Sequence, residues 1–216
     1  MDDFPDMTGK TILQVAPELS AGGVERTVLE VTEAIIAAGG RALLASKGGR
    51  LEDDFAALGG ELFRMDAKSK NPVTLKLNQR KLERLIAREG VNLVHARSRA
   101  PAWSAYWAAE AAGVPFVTTY HGAYSGKTKL KRTYNSVMAR GDLVIANSHW
   151  IAAHVHEEHG VPTERIVTIP RGVDLQAFDP AAVSAERVEA VRARWGIAGD
   201  KRLTLLLPGR LTEWKG

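Results

Sequence analysis

Two adjacent glycines, Gly22 and Gly23, stand directly before a long amphipathic run, in the stretch Pro17-Glu18-Leu19-Ser20-Ala21-Gly22-Gly23-Val24-Glu25. Glycine lets a backbone come close to an anion, and a helix starting there offers unpaired N–H donors and the positive end of its dipole. The same pair also suits a plain tight turn. Farther along, His95-Ala96-Arg97-Ser98-Arg99 ends an apolar run with two guanidinium groups and a hydroxyl. That set can hold a phosphate or a carboxylate, or it can simply face solvent. Tyr120-His121-Gly122 ends another run. A histidine there can hydrogen-bond a sugar hydroxyl or move a proton, and it can equally be structural. Asn147-Ser148 and Ile169-Pro170-Arg171-Gly172-Val173-Asp174 follow two further runs. Ser148 reads as a helix N-cap. Pro170 and Gly172 fix a turn, and Asp174 is left to cap or to bind.

Positioning these residues falls to an alternation of short apolar runs and helical stretches. TILQVA (11–16), RALLAS (41–46), ELFRM (61–65), VNLVHA (91–96), VPFVTTY (114–120), DLVIAN (142–147) and RIVTIP (165–170) read as strands. Helices are expected from Gly22 to Gly40, Leu51 to Leu58, Pro72 to Arg88 behind an Asn71 cap, Ala100 to Ala112, Lys127 to Ala139 and Ser148 to His159. The strands are continuous rather than alternating in hydrophobicity, as befits strands buried on both faces of a parallel sheet. Repeated β–α units predict an α/β fold, a Rossmann-like doubly wound and mostly parallel sheet with right-handed crossovers. Ligands in such sheets bind beyond the carboxyl ends of the strands, where all the loops named above fall. Arg171 to Asp179 reads as a loop, AERVEAVRARWG (185–196) as an amphipathic helix and RLTLLLPG (202–209) as a new strand. The expected plan is a Rossmann-like domain over 1–180, a linker helix over 181–200 and, over 201–216, the truncated start of a second domain. So short a segment cannot bury a core of its own.

Composition narrows the function. Cysteine is absent, which excludes disulfides, thiolate catalysis and Cys-ligated zinc. No apolar run approaches the length of a membrane span, and the acidic start MDDFPDMTGK is not a signal peptide, so a cytoplasmic protein is expected. The net charge of +4 is unevenly spread, with 15 Lys/Arg against 4 Asp/Glu from Arg64 to Arg140. Lys76, Arg80, Lys81, Arg84 and Arg88 recur on one side of the expected helix from Pro72, and Lys127, Lys129, Lys131 and Arg132 form a second cluster. Such a face suits an anionic membrane or a phosphorylated substrate, and it also suits plain solvation. The basic region lacks interleaved aromatics and any nucleic-acid-reading motif, so nucleic acid is not an expected partner. Neither G-x-G-x-x-G nor G-x-x-x-x-G-K-[ST] occurs, and RALLAS ends without an acidic ribose-binding residue, which disfavours a dehydrogenase and a P-loop NTPase.

Taken in order, strand–GGVE–helix, VTTYHG, DLVIANS, IPRGVD with the later Phe178, and PGRLTEWKG resemble the retaining glycosyltransferases of family 4. Their GT-B architecture joins two Rossmann-like domains. The resemblance runs from about Lys10 onward, and IPRGVD with the later GR(x)4KG is its most specific part. It implies transfer of a hexosyl-type sugar from a nucleotide-diphosphate sugar donor to a glycan or glycolipid acceptor, such as a lipid-linked glycan or lipopolysaccharide. Transfer would proceed with retention, by front-face attack and without a covalent enzyme intermediate. By the same resemblance Gly22 and Gly23 approach the donor diphosphate or the reacting sugar, His121 contacts the donor sugar near the reaction centre, and Arg210 and Lys215 clamp the diphosphate. Arg97, Ser98 and Arg99 remain candidates for an acceptor or a phosphate. As the glycosidic bond breaks, negative charge builds on the diphosphate, and fixed cations can stabilise it. No metal or other cofactor is implied, and no D-x-D motif is present. Two departures stand out: no E-x7-E follows the GR(x)4KG stretch, where the family carries it, and Arg171 replaces the usual asparagine of IPNGVD. The chain by itself is expected to be inactive. A GT-B sugar-nucleotide epimerase and a non-catalytic half that docks nucleotide or lipid remain alternatives.

Overall fold

The computed structural model describes residues 5–124, 126 and 128–207. The chain falls into two compact units, Met1–Arg171 and Gly172–Gly216.

The first unit is an open sheet of seven parallel strands: β1 (Thr11–Val15), β2 (Arg41–Ser46), β3 (Glu61–Arg64), β4 (Leu93–Ala96), β5 (Phe116–Tyr120), β6 (Leu143–Ala146) and β7 (Ile166–Thr168). Their order across the sheet is β3-β2-β1-β4-β5-β6-β7. Six helices connect them: α1 (Gly23–Ala37), α2 (Glu52–Ala57), α3 (Pro72–Glu89), α4 (Arg99–Ala112), α5 (Lys129–Asn135) and α6 (His149–His159). This is the doubly wound Rossmann-like sheet expected from the sequence, with every pairing parallel. The strand order reverses between β1 and β4, so the loops after these two strands part and open a crevice.

Burial follows the apolar runs. β1 is buried throughout, whereas the edge strands β3 and β7 are partly exposed. On one face Leu13, Val15 and Val94 pack with Leu82, Leu85 and Ile86 of α3. Ala102, Ala105, Ala108 and Ala109 of α4 are fully buried there, their small side chains letting that helix lie close. Across the sheet Leu44 packs with Val28, Leu29 and Phe55 from α1 and α2. Each such buried Leu, Val or Phe contributes roughly 1.5–3 kcal/mol relative to exposure. The helix starts are where side-chain chemistry puts them. Asn71 Oδ1 accepts from Val73 N at 2.9 Å with Pro72 beside it, and Ser148 Oγ accepts from Ile151 N at 3.2 Å.

The basic residues Lys76, Arg80, Lys81, Arg84 and Arg88 of α3 are all exposed, as are Lys129, Lys131 and Arg132 of α5. Two apolar side chains share the basic side of α3, Val73 at 69% and Leu77 at 51% exposure. α5 starts later than its sequence pattern predicts because Thr128 supplies the cap, accepting from Lys131 N. The last residues of the expected helix form a 3-10 turn over Ser136–Ala139.

In the second unit Asp174 caps a turn, accepting from Gln176 N at 3.0 Å and Ala177 N at 2.9 Å. Helix α7 (Ala185–Arg194) follows, capped by Ser184. The strand expected over 202–209 is not formed in its described part. Residues 201–207 make no ladder, and Leu203, Leu205 and Leu207 are 87%, 87% and 94% exposed. An extended apolar run becomes a strand only against a neighbour that takes its N–H and C=O groups, and no described strand lies beside this one.

Candidate functional site

The loops at the carboxyl ends of β1, β4, β5, β6 and β7 bring several of the expected residues together. Gly22 precedes α1 at φ 141°, a backbone state that suits only glycine. No side chain caps α1, so the first N–H groups of this 15-residue helix carry its positive dipole end without a side-chain acceptor. Gly23 is the first helical residue. A Cβ on it would collide with the guanidinium of Arg171, meeting Cζ at 2.9 Å as well as Nη1. Arg171 therefore lies directly against the start of α1, in the position where an anion is favoured.

The same guanidinium reaches His121, with Nη2 2.9 Å from Nδ1. The backbone of His121 is held from β6, since Asn147 Nδ2 donates to His121 O at 3.0 Å. Its Nε2 is buried and makes no hydrogen bond among the described residues. Burial first, then the charges of Arg171 and Arg97, push the imidazole down to a pKa of about 3. The site histidine is therefore neutral at physiological pH.

Arg97 takes an unexpected position. Although it follows β4 directly, its side chain is only 1% exposed. Its backbone N–H extends the ladder to Val15 O at 3.0 Å, and its Nε donates to Gln14 Oε1 at 2.7 Å. Gln14 stands in the middle of β1 and in turn donates to Thr32 Oγ1 of α1 at 2.9 Å. Arg97 Nη2 has no partner among the described residues. Burial lowers the guanidinium to a pKa of about 9, with Glu30 pulling the other way and Arg171 adding to the drop. His95, two residues earlier, is also buried and held well below its ordinary pKa, by burial and then by Arg97 and His121. It pairs with Thr119 through Nε2 at 2.7 Å.

Arg97 and Arg99 do not form one pair. Arg99 opens α4, stacks over the Tyr124 ring at 4.0 Å and donates to Asn135 Oδ1 at 2.7 Å. Ser98 holds the N-cap position of α4 without a side-chain cap bond. Ser98 and Arg99 line a cleft of about 310 Å³ with Pro17, Val24, Lys68 and Lys70, at the same edge of the sheet as Gly22 and Gly23. A larger cleft of about 560 Å³, lined by Tyr106, Phe116, Arg140 and Asp142, lies at the opposite edge, where the strands begin. Parallel sheets do not place their ligands there, and none of the convergent loops reaches it. Arg210 and Lys215, expected to clamp a diphosphate, lie outside the described residues.

Sequence reasoning missed Gln14, Asn147 and Arg171 as site residues. Gln14 had a signal, a lone amide inside an otherwise apolar strand. Asn147 and Arg171 stood in stretches already singled out, but only their contacts with His121 give them a role.

A doubly wound parallel sheet with an uncapped helix start, a neutral histidine and two arginines gathered at the carboxyl ends of its strands defines a Rossmann-like domain with its candidate site at that edge. The model of Glycosyltransferase Family 4 matches residues 21–177, well over half of the chain, and the chain belongs to that family. It is 30% identical over 145 residues to the D-inositol 3-phosphate glycosyltransferase of Xylanimonas cellulosilytica, a match covering 58% of this chain and 33% of that protein. Among solved structures, a glycosyltransferase from Rickettsia africae superposes with a TM-score of 0.81 at 36% identity, over 96% of this chain and 54% of that one. The Anabaena protein HepE in complex with UDP-glucose superposes at 0.67 with 17% identity, over 87% of this chain and 50% of that one, which is a likeness of fold. The chain thus spans about a third of the curated relative and about half of these solved structures. No helix among the described residues is long and apolar enough to cross a membrane.

Proposed function

We propose that this chain is the acceptor-side half of a GT-B glycosyltransferase that moves a hexosyl group from a nucleotide-diphosphate sugar to a glycan or glycolipid acceptor of the cell envelope. Residues 1–180 form its Rossmann-like domain, 181–200 the linker and 201–216 the start of the donor domain. The observation that carries the reading is the uncapped start of α1 at Gly22-Gly23, joined to His121 through the guanidinium of Arg171 at the carboxyl edge of the sheet, in a chain of this family. There the helix N-terminus meets the donor diphosphate, and the Nε2–H of His121 donates to an oxygen of the donor sugar. Arg210 and Lys215 neutralise the diphosphate as it leaves. The acceptor oxygen bonds to the anomeric carbon on the face the diphosphate vacates, and its proton goes to the departing phosphate oxygen. Configuration is retained, and the fixed cations carry out the charge neutralisation a metal would otherwise supply. This half alone does not turn over donor, because the reaction needs both walls of the cleft.

The complete enzyme works in the cytoplasm at the inner face of the plasma membrane. Its exposed cations on α3 and α5 contribute on the order of 1 kcal/mol each near anionic lipid, an attraction that salt screens. Thermal-shift titration with UDP, GDP and duplex DNA tests the class of ligand. A rise in melting temperature with a nucleoside diphosphate and none with DNA is expected. Stabilisation by DNA alone would overturn the proposal.

A further inference from the structure

Arg171 stands where the family pattern has asparagine, and its contact with His121 has a consequence that follows from donor–acceptor chemistry. A guanidinium has five N–H donors and no acceptor. The 2.9 Å contact from Arg171 Nη2 therefore requires a bare lone pair on His121 Nδ1. The single proton of the neutral ring must then sit on Nε2, the atom that is buried and unbonded among the described residues. We propose that Arg171 is a positioning residue that locks His121 as the neutral Nε2–H tautomer, making it a fixed hydrogen-bond donor to substrate and not a group that exchanges protons. That the acceptor is a sugar oxygen rests on the glycosyltransferase reading; the lock itself does not.

Three independent features hold the lock. Asn147, directly after β6, pins the His121 carbonyl and so fixes the ring's point of attachment. Gly23 leaves the space that the guanidinium fills, where any side chain would displace it. The two guanidinium groups near the ring, Arg171 after β7 and Arg97 after β4, also discourage a second proton; the other ionisable groups beside it are neutral, His95 of β4 and Tyr124 in the loop after β5, whose hydroxyl meets the His121 backbone. Glu25, whose carboxylate lies over Gly22, is the acidic side chain in the first turn of α1. An imidazolium at position 121 would point a second N–H at Arg171, which cannot accept it.

Long-range proton–nitrogen NMR of the full chain labelled at histidine nitrogen reads the tautomer directly, with the His121 signals assigned by their loss in His121→Gln. The expected pattern is a bare Nδ1 and a protonated Nε2 that persist unchanged from pH 8 to pH 5. Arg171→Asn should give mixed tautomers and a titration moved up toward the free-imidazole value of about 6.5. Gly23→Ala, which keeps Arg171 but pushes it aside, should give the same signature. Arg171→Lys, which still donates, should retain the wild-type tautomer. A protonated Nδ1 in the wild type, or a tautomer unchanged in both Arg171→Asn and Gly23→Ala, would overturn the proposal. In the complete enzyme Arg171→Asn should lower kcat on the order of tenfold, the loss of one oriented hydrogen bond, with KM little changed. An NMR result as expected beside an enzyme with no sugar transfer would leave the lock standing and sink only the functional reading.

Discussion

Replacing Arg97 with methionine should stabilise the fold, and the structure gives the balance. The guanidinium is 1% exposed, and its pKa falls from the ordinary arginine range to about 9. At about 1.4 kcal/mol per pH unit, holding that charge in the interior at neutral pH costs on the order of 5 kcal/mol. Against this, Arg97→Met strips Gln14 Oε1 of its 2.7 Å donor, a loss of about 1–3 kcal/mol for a buried acceptor left bare. Methionine is long and adaptable enough to fill most of the vacated volume. The net expectation is a gain of roughly 1–3 kcal/mol, or several degrees in melting temperature for a chain of this size. Arg97→Ala removes the same charge but adds a cavity cost of about 2–5 kcal/mol, so it should be less stable than Arg97→Met by roughly that amount. The double variant Gln14→Leu with Arg97→Met removes the orphaned amide but also strips Thr32 Oγ1 of its 2.9 Å donor, so it should lie within about 1 kcal/mol of Arg97→Met alone. Urea unfolding followed by circular dichroism measures all three, with an unchanged denaturant slope as the sign that only stability has moved. If Arg97→Met lost more than about 2 kcal/mol, the buried guanidinium would be a net stabiliser and the argument from its burial would fail.

Three further expectations follow from the same geometry. Gly22→Ala should destabilise by roughly 1–3 kcal/mol because φ of 141° is strained for any side chain, whereas Gly23→Ala, whose clash falls on the flexible end of Arg171 and is offset by the better helix propensity of alanine, should cost less; equal losses in the two would contradict this. Stability should fall in acid: His121 titrates near 3 when folded and near 6.5 when unfolded, so its contribution is complete above 6.5 and is lost as pH drops toward 3. That amounts to roughly 2 kcal/mol by pH 5, with buried His95 acting in the same direction; a flat profile from pH 8 to 5 would refute it. Vesicle co-sedimentation should detect binding to anionic vesicles at low salt that disappears by about 0.5 M salt, where the screening length is a few Å; equal binding to neutral vesicles would sink the membrane proposal.

Much of the fold was legible because its signals are local. Short runs rich in apolar and β-branched residues, such as RALLAS and FVTT, set between helical stretches read as buried strands. Asn71-Pro72 and Ser148 announce helix starts through hydrogen bonds that reach two or three residues. The described part of the expected last strand, 202–207, is unpaired for the complementary reason: strand formation is decided by a partner, which the segment's own residues do not encode. The site was half legible. Gly22, Gly23 and His121 follow from their place after a strand, but Arg97 looked like a surface cation until its 83-residue-distant partner Gln14 was seen. Arg171 was visible as a departure from a motif, yet its role depends on contacts with His121, 50 residues away, and with Gly23. Long-range pairings of this kind arise from sheet order, which hydrophobic periodicity does not specify.

The central claim is tested most directly by sugar transfer in the complete two-domain polypeptide, assayed with labelled UDP- and GDP-sugars and membrane-extracted acceptors. Wild-type enzyme should form labelled product with retained anomeric configuration. Arg210→Ala and Lys215→Ala should each lower kcat by about 10²–10³, the scale of losing one charge-stabilising group, and His121→Ala should lower kcat more than it raises KM. Transfer that persists at the wild-type rate in all three variants, or a protein that binds nucleotide and transfers nothing from any donor, would contradict the account.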